Sequence, residues 1–170
     1  MKKILVLGLL SLMMVGCSTT SGSSAKTSVS NFDGSRSVSV SAHGAACTSM
    51  ICPMLGATWV EKYPDTMGFT VQVLNDITNI NSVAFNIDGE IIQLNSIGLT
   101  DFDRVANAKI SRKSIVADYS VVEKILNSKR TWMKVSTSNG PLEVAIIDGS
   151  TDSKAFHALK RFDAQVKAIN

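Results

Sequence analysis

The densest collection of reactive side chains lies between His43 and Met54, in the run His-Gly-Ala-Ala-Cys-Thr-Ser-Met-Ile-Cys-Pro-Met. Three chemistries compete for Cys47 and Cys52. The pair could close a disulfide across a short loop. It could shuttle electrons as a dithiol, although such sites usually read Cys-x-x-Cys and this loop is two residues longer. It could also hold a soft metal together with His43, Met50 and Met54, since thiolates and thioethers suit Cu(I). His43-x₃-Cys47-x₄-Cys52 matches no standard zinc spacing.

His43 and His157 are the only histidines in the 170 residues. His157 falls between Phe156 and Ala158, where a helical reading places it at the boundary of a buried face. His43, beside Gly44, reads as a loop residue capping the cysteine loop. The chain has no Gly-x-Ser-x-Gly elbow. It has neither a phosphate-cradling glycine loop nor His-Glu-x-x-His. Carboxylates gather in two places. Asp101-Phe102-Asp103 puts two on one face if extended, and Asp148-Gly149-Ser150-Thr151-Asp152 bunches oxygen donors in a loop. The second lacks the acidic run and distal Glu of a Ca²⁺ loop, so turn and capping chemistry account for it. No catalytic residue, metal ligand set or cofactor is assigned. Trp59 and Trp132 are core candidates, and an exposed one would be an interface candidate instead.

The amino-terminal end carries a different chemistry. Met1-Lys2-Lys3 is a short positive start, Ile4 to Val15 is uncharged and mostly apolar, and Gly16-Cys17 follows. That run is too short to cross a bilayer, which takes roughly 20 residues as a helix. A positive start, a short apolar centre and a small residue before the cut make residues 1–16 a secretory signal. Met14-Val15-Gly16-Cys17 resembles the lipobox of bacterial lipoproteins. The resemblance implies cleavage before Cys17, diacylglycerol on its thiol and an acylated new amino terminus. Ser18 in the next position is similar to the outer-membrane signal of Gram-negative members. Lipid on Cys17 is then the membrane attachment, because two or more buried chains hold stably.

Export selects among the readings of the cysteine loop. An exported chain meets an oxidising compartment, and two cysteines remain once Cys17 is lipidated, so Cys47 and Cys52 are expected to form one structural disulfide. Lys2 and Lys3 leave with the signal, so 15 of the 17 basic residues remain against 14 acidic ones, a formal net charge of +1. Without a block of like charge there is no electrostatic case for nucleic acid, and the compartment excludes it as well.

Elements that could position these residues follow from periodicity. Ser18 to Ser30 contains ten Ser, Thr or Gly in thirteen residues, so residues 17–34 read as a lipidated cysteine and flexible tether. Residues 35–170 read as one domain. Ser37 to Ala42 alternates as a half-buried strand, and Ala57 to Glu61 and Phe69 to Leu74 are β-rich runs around Tyr63-Pro64-Asp65. Asp88-Gly89 between apolar runs is a strong hairpin signal. Asn95 to Arg112 is ambiguous, with weak β character around Val105 to Ile110, and Ile115 to Tyr119 alternates again. Ser120-Val121-Val122-Glu123 fits a capping box, which predicts a short helix to about Asn127. Trp132 to Thr137 and Leu142 to Ile147 flank a second turn at Ser138-Asn139-Gly140-Pro141. From about Ser153 to Ile169, Phe156, Leu159, Phe162, Val166 and Ile169 share one face of a helix, capped by Thr151 or Asp152.

Hairpins with few helices predict an α+β fold: an antiparallel meandering sheet with a short helix, and a C-terminal amphipathic helix packed on one face. The functional expectation is a membrane-anchored envelope lipoprotein, most simply of an outer membrane. Its domain would act as a non-enzymatic binding or accessory module for an envelope protein or small ligand. The alternatives are a periplasmic hydrolase-like enzyme with a dispersed site, and a soft-metal lipoprotein using His43, Cys47 and Cys52.

Overall fold

The computed structural model describes residues 22–94, 96 and 98–169, so the signal sequence, the Met14–Cys17 motif and the lipid-bearing Cys17 lie outside the described residues. Alternation builds the first sheet. In β2 (Arg36–Gly44) Val38 and Val40 point inward between serines. In β3 (Pro53–Val60) Leu55, Ala57 and Trp59 do the same, and in β4 (Thr66–Leu74) Met67, Phe69, Val71 and Val73 follow. With β1 (Lys26–Val29), β7 (Asp101–Val105) and β8 (Ala108–Asp118) they form an antiparallel sheet in the order β1-β2-β3-β4-β8-β7.

The second sheet has the order β11-β10-β9-β5-β6, from β5 (Ile80–Ile87), β6 (Glu90–Leu94), β9 (Arg130–Thr137), β10 (Gly140–Asp148) and β11 (Thr151–Asp152). Val83, Phe85, Met133, Val135, Val144 and Ile146 are buried in the same core as the apolar residues of the first sheet. Phe69 and Phe85 meet there with ring centroids 5.4 Å apart. Isolated bridges from Ala46 to Ala145 and from Ser96 to Ile115 join the sheets at two further places. The antiparallel, hairpin-built α+β architecture read from the sequence is therefore present, divided over two joined sheets.

The helices close the core. In α2 (Lys154–Lys167) Ala155, Ala158, Leu159, Phe162 and Val166 are buried, chiefly against β2 and β3. Its cap is Ser153, whose Oγ accepts the Phe156 N–H at 3.1 Å. Thr151 and Asp152, expected as caps, instead pair with β10 as β11. The short helix α1 (Ser120–Asn127) also forms, but without its capping box. Strand β8 runs straight into it, Tyr119 holds the cap position in helical backbone, and Ser120 is already inside the helix.

Two segments carry strands that composition hid. Residues 101–118 form one hairpin turning at Ala106-Asn107, with Ala106 at φ 52°. All of β7 is exposed, so no buried face marked it in the sequence. Strand β1 lies inside the expected tether, with Lys26 opposite Ser39 and Val29 opposite Arg36. Order thus begins before residue 35. A ladder of backbone hydrogen bonds needs no apolar face, and Ser28 and Ser37 add a 2.8 Å hydroxyl contact.

Candidate functional site

The outward face of the second sheet holds a concavity of about 700 Å³. Its floor follows from register. Trp132 on β9 lies between Asn86 on β5 and Ala145 on β10, and Lys134 lies between Ala84 and Glu143. Because successive strand residues alternate faces, burying Met133 turns Trp132 and Lys134 outward. The β5–β6 turn rims the hollow with Asp88 at φ 50° and Gly89 at φ 100°, the positive φ values that an Asp-Gly turn supplies. Ile91, 72% exposed, forms an apolar lip.

Polar contacts fix this surface. The Trp132 indole N–H donates to Asp148 Oδ2 at 3.0 Å. The Arg130 guanidinium sits 5.7 Å from the indole ring centre, and its Nε is 3.4 Å from Asp148 Oδ1. Asp88 Oδ1 accepts the Arg130 backbone N–H at 2.8 Å, tying the turn to the start of β9. Lys134 and Glu143 pair at 2.9 Å. The result is a half-buried aromatic plane held in one orientation within a rim of both charges. Such a surface can stack a flat apolar ligand face and hydrogen-bond its edges. A smaller hollow of about 220 Å³, lined by Thr58, Val60, Tyr63, Met67 and Val116 among others, lies elsewhere on the surface.

The residues singled out from the sequence go elsewhere. Cys47 and Cys52 form a disulfide with Cα atoms 5.7 Å apart. His43 is buried on β2 rather than in the cysteine loop. Its Nδ1 donates to Ser41 O at 2.6 Å and its Nε2 accepts the Ser23 N–H at 3.0 Å. His157 is partly exposed at the edge of α2, and its Nε2 is 2.9 Å from Asp152 Oδ2. Asp148 faces Trp132 while Asp152 faces His157, so the two carboxylates of that loop serve different partners. Asp101 and Asp103 lie exposed along β7. Trp59 is a core residue whose indole donates to Pro64 O at 2.9 Å.

Among the described residues, no three His, Cys, Asp or Glu side chains stand together as a metal site, and no helix is long and apolar enough to cross a membrane. Arg130, Asn86 and the Asp148 contact were missed by the sequence reading. The signal for Arg130 was present, since Arg130, Trp132 and Lys134 are the outward set of a period-two strand. The chain matches no protein family, no curated protein and no solved structure.

Proposed function

We propose that this chain is an envelope lipoprotein, anchored through lipid on Cys17, whose domain is a non-enzymatic binding module with its ligand surface at Trp132. The observation that carries the binding site is the fixed indole plane. Its N–H is engaged by Asp148, and its ring lines the larger hollow beside a charged rim. The Met14-Val15-Gly16-Cys17 motif supports the anchor. The soft-metal alternative loses support because both sulfurs of Cys47 and Cys52 are joined to each other. The hydrolase alternative called for a histidine beside two carboxylates, whereas His157 meets Asp152 and His43 meets Ser41 and Ser23.

Two measurements separate anchor from binding. Cys17→Ala should leave the protein without label from a palmitate analogue and release it from membranes. If that variant still pellets with label, the anchor is elsewhere. Crosslinking pull-downs from whole envelopes, run on wild type, Trp132→Ala and Val116→Ala, test the surface. Loss of the captured species in Trp132→Ala alone supports the proposal. Loss in Val116→Ala alone would move the site to the smaller hollow.

A further inference from the structure

We infer that the disulfide-loop end of the domain rests on the lipid surface, with Met50 and Ile51 as its apolar contacts. This rests on the lipoprotein reading of Cys17. Strand β1 runs antiparallel to β2, so followed back from Lys26 the chain travels toward the carboxyl end of β2. The Ser23 N–H is bonded to the His43 ring there, three residues short of Ala46 and the start of the cysteine loop. Only five residues separate Ser23 from Cys17. Even fully extended, that span covers at most about 20 Å. The tether is therefore too short to hold this end far from the bilayer or to let the domain turn over freely.

Apolar side chains stand out at this end, as Val29, Phe32 and Tyr63 do at the opposite one, so it is the short tether that chooses between the two ends. Met50 is 84% exposed inside the disulfide loop, with Ile51 beside it. Ile77 in the β4–β5 connection and Val105 at the end of β7, beside the β7–β8 turn, are exposed as well. Asn75 ties these turns together, donating from Nδ2 to Met50 O and from its backbone N–H to Lys109 O, each at 2.8 Å. Single exposed apolar residues are ordinary on a soluble surface. Several on one cross-linked end, within reach of a lipid-bearing residue, fit a shallow interfacial contact of the kind that buries apolar side chains at the headgroup boundary.

The test uses full-length protein purified from membranes and reconstituted in vesicles of phosphatidylethanolamine and phosphatidylglycerol in equal parts, with and without brominated acyl chains. Met50→Trp reports on the proposed contact and Phe32→Trp, on the β1–β2 turn at the other end of those strands, serves as the counterpart. Both native side chains are highly exposed, and wild-type emission from Trp59 and Trp132 is subtracted. The expected result is a blue shift and loss of emission for Met50→Trp in brominated vesicles, with neither for Phe32→Trp. Equal quenching of both, quenching of Phe32→Trp alone, or quenching of neither in protein that floats with the vesicles overturns the inference and leaves the anchor standing. Protein that carries no lipid and does not float overturns the lipoprotein reading itself, and the orientation falls with it.

Discussion

Asp148 on β10 lies opposite Arg130 across the β9–β10 ladder, and its carboxylate accepts the indole N–H of Trp132, two residues further along β9, at 3.0 Å. The same carboxylate draws Arg130 toward the ring. Asp148→Ala should leave the indole N–H to water and free Arg130. The cost to stability should be about 1 kcal/mol, because the site is half-exposed and water replaces the lost partner. Ligand capture should fall as it does in Trp132→Ala, since an unheld ring is no longer pre-organised. A red-shifted emission difference and a lowered melting temperature would mark the change. An unaltered spectrum would mean that packing alone sets the indole.

Arg36 and Glu61 give the fold an acid limb. Arg36 donates from Nε at 3.0 Å and from its backbone N–H at 3.1 Å to Glu61 Oε2, and its Nη2 reaches Ile169 O at 3.2 Å. The side-chain hydrogen bonds from Arg36, with the backbone one next, hold the Glu61 carboxyl down to about 2 from its ordinary 4.5. A depressed carboxylate stabilises the fold above its unfolded pKa, and that contribution is lost as pH falls toward its folded value. Wild type should therefore exceed Glu61→Gln in urea midpoint at neutral pH, and the two should converge between pH 4.5 and about 2. Parallel curves through that window would show that Glu61 carries no acid dependence.

How much could be read in advance varied with burial. Val38, Phe69, Phe85 and Met133 lie on strands whose apolar face was visible as alternation, and the Asp88-Gly89 turn was visible as turn chemistry. Strands β1 and β7 are exposed at every position, so nothing in their residues announced them. His43 was misplaced because a bulge between Val40 and His43 shifts the face that later residues of β2 present. Its counterpart is Gly56 on β3, where a Cβ would come within 2.8 Å of Val40 O. The division into two sheets depends on β4 meeting β8 and β5 meeting β9, pairings between distant segments that no local pattern encodes. At the site, Trp132 stood open between core and interface, and Asp148 was read as turn chemistry because its partners Trp132 and Arg130 lie across the ladder.

Leu159 tests the helix face. Its side chain is fully buried with Phe162 and Val166, whereas Lys160 is exposed. Leu159→Ala should cost about 2–5 kcal/mol, the range for truncating a packed leucine. Lys160→Ala should stay within about 0.5 kcal/mol. Denaturant midpoints for the pair would decide it, and equal losses would place the buried face elsewhere.

Cys47 and Cys52 close a loop whose ends sit 5.7 Å apart between β2 and β3, with Leu74 donating its N–H to Cys52 O at 3.3 Å. A cross-link over so few residues removes little freedom from the unfolded chain, so the chain-entropy account gives only about 2 kcal/mol. Replacing both cysteines by alanine should lower stability by about that amount and leave capture at Trp132 unchanged. In the denatured mature domain a thiol-reactive probe should find no free thiol before reduction and two after it. Two thiols before reduction would remove the disulfide and restore His43, Cys47 and Cys52 as a soft-metal set. A bond that opens under mild reductant would make the loop redox-active rather than structural. The resulting loss of order at Met50 would then show as slackened contact with vesicles.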